Sequence, residues 1–191
     1  MNCFRLIRRD VDVAPFLEEI DERPEVWLEQ TGRRSIRVQA AAEAIPIRGL
    51  RKSKIAGRKR RDVHESRYTT LSRSFPYTRR FLEEFARSME AELGRAKIVN
   101  LPPGKRVLPH VDRGEYYACR DRYHLVLDSS AAWMRAGDEE VSMKPGELWW
   151  FDNKSIHEAW NPSARRRIHL IFDLKPRFHA CQDREDRRCR D

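Results

Sequence analysis

From residue 97 onward the sequence adopts a strand-like period, and this constrains the fold more than any other feature. Short β-type runs occupy residues 97–101, 123–128, 132–136, 140–143, 147–151, 157–161 and 167–174. Turn signals separate them, among them Pro102-Pro103-Gly104, Ala136-Gly137-Asp138, Lys144-Pro145-Gly146 and Asn161-Pro162-Ser163. Seven short strands with turns at regular intervals describe a small antiparallel barrel or sandwich.

The chain before residue 95 has a different texture. Phe16, Leu17, Ile20, Val26, Trp27 and Leu28 lie among acids at helical spacing, broken at Pro24, which predicts one or two short helices. Residues 34–50 read as extended or irregular and end in Ala44-Ile45-Pro46-Ile47-Arg48-Gly49, a proline-bearing apolar run suited to an edge strand. Over residues 77–93, Phe81, Leu82, Phe85, Met89 and Leu93 recur at helical intervals, which predicts an amphipathic helix facing a sheet, with Gly94 as its C-cap. The expected organisation is a helical and extended part over 1–94, a barrel over 95–175 and a charged tail over 176–191. A chain of 191 residues can bury one continuous core without disulfides or structural metal.

Charge and cysteine usage bound the partners. Lys and Arg outnumber Asp and Glu by 39 to 30, which favours anionic partners such as carboxylate ligands, nucleic acid or acidic proteins. The densest basic run is 51–61; it lacks interleaved aromatics and reads as a solvated loop, a loop beside an anionic substrate, or a nucleic-acid patch. Cys3, Cys119, Cys181 and Cys189 have no CxxC spacing, so reduced thiols are expected rather than a zinc knuckle or a disulfide framework. The N-terminus lacks an apolar signal region and no stretch approaches a membrane span, so a soluble, cytoplasmic protein without a membrane partner is the expectation.

The chemistry concentrates in His110-Val111-Asp112 and His157. Strand residues two apart project from one face, and a second histidine returned by the fold completes three ligands. Two imidazoles and one carboxylate on one face of an octahedron leave the opposite face open for cosubstrate and oxygen, the pattern of a 2-His-1-carboxylate iron site. An HxD pair alone reads equally as a surface or hydrogen-bonded pair; here Pro-Gly turns precede both histidines and both begin strands. On the last run, Arg167, His169, Ile171 and Asp173 share one face, while Ile168, Leu170 and Phe172 share the other. An arginine aimed into a barrel demands a buried anion, and the distal carboxylate of a dicarboxylate such as 2-oxoglutarate would supply one. The bland alternative is that Arg165, Arg166 and Arg167 are three solvated loop arginines. Trp149 and Phe151 share one face and Trp150 the other, so most of the tryptophans are expected in the core.

Taken together, residues 102–112, Arg122-Tyr123-His124-Leu125, residues 145–153, His157-Glu158-Ala159-Trp160-Asn161 and residues 167–173 resemble the aspartyl/asparaginyl β-hydroxylase family of 2-oxoglutarate dioxygenases, with order and spacing kept over 95–174. The N-terminal part resembles its small bacterial members, among which are hydroxylases of free proline. The resemblance implies a mainly β (α+β) double-stranded β-helix, a jelly-roll and cupin-like barrel. It further implies hydroxylation of an unactivated C–H bond of an amino acid, free or within a peptide, using Fe(II), 2-oxoglutarate and O2 and releasing succinate and CO2. Carried over by position, His110, Asp112 and His157 would bind iron and Arg167 would pair with the distal carboxylate of 2-oxoglutarate. Arg122 and His124 match positions near the carboxylate that chelates iron, and His169 reads as a hydrogen-bonded core imidazole. The animal aspartyl hydroxylases and related halogenases lack the carboxylate ligand; Asp112 therefore points to hydroxylation. Where the animal enzymes hold the cosubstrate with a serine, this chain has Val99. Two alternatives stand beside this: a non-catalytic cupin-like module that binds metal or carboxylate, and a hydroxylase reaching a nucleic-acid-associated substrate through 51–61. The sequence leaves the oligomeric state open.

Overall fold

The structure is a computed structural model and describes residues 2–29, 37–50 and 65–177. The basic run at 51–61 and the tail from residue 178 lie outside the described residues. In chain order the elements are β1 (Phe4–Arg8), α1 (Ala14–Asp21), α2 (Val26–Glu29), a 3-10 turn at Arg37–Gln39, β2 (Glu43–Gly49) and β3 (Arg67–Tyr68). A 3-10 turn at Leu71–Ser74, α3 (Pro76–Ser88), β4 (Ala91–Leu101), β5 (Arg106–His110), α4 (Glu115–Ala118) and β6 (Asp121–Asp128) follow. The chain closes with β7 (Trp133–Ala136), β8 (Glu139–Val141), β9 (Leu148–Phe151), β10 (His157–Trp160) and β11 (Arg167–Pro176).

Each of the seven expected runs falls on a strand, and all strand pairs are antiparallel. They form a seven-stranded sheet in the order β1-β9-β6-β11-β4-β2-β3, facing a four-stranded sheet in the order β5-β10-β7-β8. This is the double-stranded β-helix. Period-two alternation sorts the central strands between two cores. Ile168, Leu170 and Phe172 of β11, with Ala96 and Ile98 of β4 and Tyr123 and Leu125 of β6, face outward under the helices. Val99 and Leu101 of β4, Val126 of β6 and Ile171 of β11 face inward toward the small sheet, beside Met134, Phe151 and Ala159. Burying one such aliphatic or aromatic side chain stabilises by about 2 kcal/mol, so the outer cluster alone fixes which face of the large sheet meets the helices. Trp150 packs on the outer cluster and Trp149 on the inner one, as the alternation requires. Trp160 departs from the expected core position: it is 39% exposed, edge-on to Trp133 at 5.8 Å.

α3 begins at a proline whose fixed φ suits the first helical turn, but its N-terminus is capped from another helix. Glu19 of α1, buried at 8%, accepts hydrogen bonds from the backbone N–H of Tyr77, from the N–H of Thr78 at 3.1 Å and from its hydroxyl at 2.7 Å. A buried carboxylate is thereby satisfied by orphan donors and by the positive end of the helix. Phe81 and Phe85 then stand edge-on to Phe172 at 6.4 and 5.5 Å.

Two expectations need correction. The helix expected over 77–93 ends at Ser88, because Glu90 turns the chain with a left-handed φ of 47° and β4 starts at Ala91. Leu93 continues the helical count from Met89 only by coincidence with the strand alternation, and Met89 is 39% exposed. Gly94 is accordingly no C-cap; it lies within β4, where a Cβ would come 2.5 Å from the Tyr116 hydroxyl and 3.0 Å from the Asp173 carbonyl oxygen. The strand β1, which pairs Phe4 with Phe151, has no counterpart in the expected elements.

Removing the cross-helix cap tests this packing. Glu19→Ala is expected to cost about 2 kcal/mol and to lower Tm by roughly 4–8 °C, since several buried donors lose their acceptor. A thermal unfolding curve that superimposes on the wild type would contradict it.

Candidate metal centre

His110 ends β5 and His157 opens β10, and the two are cross-strand partners with ring centroids 4.2 Å apart. Each ring is oriented by its own chain. His110 Nδ1 lies 2.8 Å from the Leu108 carbonyl and His157 Nδ1 lies 2.9 Å from the Ser155 carbonyl. A carbonyl oxygen only accepts, so Nδ1 carries the hydrogen in both and Nε2 keeps its lone pair for a ligand. Gln39 Nε2, 3.1 Å from His110 Nε2, donates to that lone pair from the turn above.

Asp112 completes the group, but not from a strand as the HxD spacing predicts. β5 stops at His110, and Asp112 is held beyond it by its N–H, which donates to the Asn153 carbonyl at 3.1 Å. Its Oδ2 accepts from Asn153 Nδ2 at 3.0 Å and from Arg122 Nη1. One ligand atom from each of His110, Asp112 and His157 falls within 4.8 Å of the others. The expectation that both histidines begin strands therefore holds for His157 alone.

The electrostatics suit a cation. Burial pushes the His157 imidazole down to about 4, with His110 adding to the fall against the opposing Ser155 carbonyl and Asp112, so the ring is neutral near pH 7. Burial raises the Asp112 carboxyl, yet Arg122 and the Asn153 amide outweigh it and hold the group below its ordinary value. The residues present offer two imidazole lone pairs and one carboxylate, the donor set that non-heme iron takes.

Behind Asp112 runs a buried chain of partners. Arg122 of β6 binds Asp173 of β11 with two nitrogens, at 2.8 and 3.1 Å, while its third holds Asp112. Asp173 also accepts from the Tyr116 hydroxyl at 3.1 Å, and that hydroxyl accepts the Arg95 backbone N–H at 2.6 Å. Gly94 leaves the space that Tyr116 fills. Asp173, Asn153, Tyr116 and Gln39 carry no assigned role in the sequence. Asp173 alone had a signal there, sharing a strand face with Arg167.

The remaining predicted residues line one cavity with the two histidines. Arg167 is 4% exposed, opposite Leu101 on β4, and shares this cavity with His124, Arg122, Val99 and Phe151. Its Nη2 donates to His169 Nδ1 at 3.2 Å. His124 Nδ1 lies 3.3 Å from the same His169 nitrogen. Burial first, and the charge of Arg167 with it, pushes both imidazoles well below their ordinary value and keeps them neutral. Val99 is the cross-strand partner of His169.

Comparison with known proteins follows the same lines. Residues 59–176 match the family described as aspartyl/asparaginyl beta-hydroxylase. Over 108 residues the chain is 30% identical to the L-proline cis-4-hydroxylase of Rhizobium meliloti, covering 56% of this chain and 38% of that protein. Over 101 residues it is 29% identical to the aspartyl/asparaginyl beta-hydroxylase of Mus musculus, covering 52% of this chain and 13% of the other. The matched segment thus spans well under half of either relative. A prolyl-4-hydroxylase from Pseudomonas putida superposes with a TM-score of 0.55 at 14% identity, over 93% of this chain and 94% of that one. A Trichoplax adhaerens prolyl hydroxylase, solved with a hypoxia inducible factor oxygen degradation domain peptide fragment, gives 0.60 at 12% identity, over 100% and 88%. At these identities the two structures speak to the fold.

A methyl at residue 94 tests the chain of partners behind Asp112. Gly94→Ala is expected to displace Tyr116, slacken the Asp173–Arg122–Asp112 connection and weaken Mn(II) binding by roughly 10–100-fold. Combining it with Tyr116→Phe, which removes the clashing oxygen, should recover part of the loss. Wild-type Mn(II) affinity in Gly94→Ala, read by calorimetry, would contradict the connection.

Proposed function

Because this chain belongs to the aspartyl/asparaginyl β-hydroxylase family, we propose that it is an Fe(II)/2-oxoglutarate-dependent oxygenase hydroxylating a C–H bond of an amino acid, free or within a peptide. The observation that carries the proposal is the buried Arg167 in the same cavity as His110 and His157. A guanidinium at that depth is matched to a carboxylate, and the donor set nearby is matched to iron. The names of the relatives, an L-proline hydroxylase and an aspartyl/asparaginyl hydroxylase, support an amino acid or peptide substrate.

In this mechanism His110 and His157 would hold iron through Nε2 and Asp112 would hold it through a carboxylate oxygen. Iron and 2-oxoglutarate, when bound, would supply the oxidising chemistry that turns a substrate C–H into C–OH with O2 as oxidant, 2-oxoglutarate being converted to succinate and CO2. The chain's own residues do the rest by placement. Arg167, whose guanidinium is oriented by His169, would take the distal carboxylate of 2-oxoglutarate. Val99, Val107, Met134 and Phe151 line the cavity and keep water from the reacting end. Arg122 and Asn153 hold Asp112 ionised and aimed, so the third ligand position is filled by protein. Gln39 donates to the same His110 lone pair that a metal would take, so it caps that nitrogen in its absence.

Two variants separate the roles. Asp112→Ala is expected to abolish both succinate formation and substrate hydroxylation. Arg167→Met is expected to raise KM for 2-oxoglutarate roughly 100-fold, the effect of stripping one partner from a buried charge pair. Full product turnover by Asp112→Ala, or an unchanged KM in Arg167→Met, would overturn the assignment.

A further inference from the structure

The four-stranded sheet turns Val107, Met134, Ala136 and Ala159 inward to the core it shares with the large sheet. Strand alternation sends their neighbours to the opposite face, which looks away from the candidate metal centre. Two levels of side chains stand on that outer face. At one level Trp133 of β7 and Trp160 of β10 are cross-strand partners, edge-on at 5.8 Å, with Trp160 39% exposed. Toward the start of β10, Ile156 is 64% exposed, two residues before Glu158.

The other level is an ionic ladder. Arg106 Nη2 donates to Glu158 Oε2 at 2.8 Å, Glu158 Oε1 lies 3.7 Å from Arg135 Nη1, and Arg135 Nη2 donates to Glu140 Oε2 at 3.1 Å. Because the sheet runs in the order β5-β10-β7-β8, the charges read plus, minus, plus, minus from one edge to the other. Arg106, Arg135 and Glu140 are each about half exposed, so their outer sides stay open to a partner. Arg135 also lies 5.7 Å over the Trp133 ring, which ties the ladder to the indoles.

A ladder of this order is complementary to itself in one orientation. Consider two copies laid face to face about a twofold axis that runs parallel to the strands, between β10 and β7. Arg106 then stands over Glu140 of the second copy, and Glu158 over Arg135 of the second copy. The same axis keeps each level opposite itself, so Trp160 meets Trp133 of the second copy and four indoles close around the axis. An axis across the strands places every strand over itself and sets like charge on like. Two sheets packed with their strands about 30° apart are an ordinary arrangement for such faces.

We infer that the outer face of the four-stranded sheet is an interaction surface for a second copy of this chain, forming a twofold dimer in which β10 lies over β7. The indoles supply its apolar centre, and the ladder fixes its orientation. Strand spacing and rise give a footprint of roughly 15 Å in each direction, below the about 800 Å² per partner of a standard interface, so the dimer is a reversible one. β5 and β10 carry His110 and His157 toward the other face, so the pairing backs the candidate metal centre without entering its cavity.

The test follows the full chain by sedimentation velocity from about 5 to 500 μM, over which the wild type is expected to pass from monomer to dimer. Trp160→Gln is expected to weaken the association about tenfold or more. Arg106→Glu and Glu140→Arg each set like charges opposite one another twice in the homodimer, and each is expected to stay monomeric over that range. Mixed in equal amounts, the two variants set opposite charges at both contacts, and a one-to-one heterodimer near wild-type affinity is expected. A general loss of folding or solubility would not be repaired by mixing. A wild-type chain that stays monomeric throughout leaves the face to another occupant and overturns the inference. So would a dimer unaffected by Trp160→Gln, charge-reversed variants that each self-associate like the wild type, or a mixture of the two that remains monomeric.

Discussion

Everything at the candidate centre depends on how the Arg122 guanidinium is satisfied. Burial alone would lower its affinity for a proton, yet Asp173 and Asp112 reverse that and fix the positive charge in place. The three charges leave one negative charge in excess, and a cation at the ligand atoms of His110, Asp112 and His157 is its natural complement. Buried ion pairs rarely stabilise a fold more than apolar packing would, but breaking one is expensive. This network therefore acts less as glue than as a jig. It ties β6 to β11 and both to the segment after β5, so the carboxylate cannot drift without unpairing charge.

The jig has a place to sit because one sheet serves two cores. β11 alternates apolar residues toward the helices with Arg167, His169, Ile171 and Asp173 toward the small sheet. The outward positions determine register, since a one-residue slip would exchange Phe172 for Asp173 under α3. Hydrophobic packing on the far side of the sheet thus dictates where the charged residues on the near side stand. Glu19, by anchoring α3, belongs to the same chain of cause although it touches nothing in the site.

Much of this was legible in residue order. Strands announced themselves by alternation and by Pro-Gly turns, and His110, His157 and Arg167 lie on them. What escaped has a common physical origin in non-local contact. Asp112 leaves the strand because of Asn153, 41 positions away. Gly94 resembles a helix cap until Tyr116 is known to fill the space above it. The helix ends at Ser88 because Glu90 turns the chain, and glutamate rarely adopts a left-handed φ and so gives no signal of it. β1 is only five residues long, and its pairing with β9 makes it a strand.

The three candidate ligands are not held alike, and the contrast has an evolutionary side. Each histidine is braced by a carbonyl two residues back in its own chain, a brace that any sequence keeping the local backbone preserves. Asp112 is braced by Arg122 and Asn153 from two distant segments, either of which can change independently. Mutational drift should therefore erode the carboxylate first and leave a serviceable pair of imidazoles behind. The open third position would then be available to an exogenous ligand, so a new chemistry could begin from a broken brace without rebuilding the barrel.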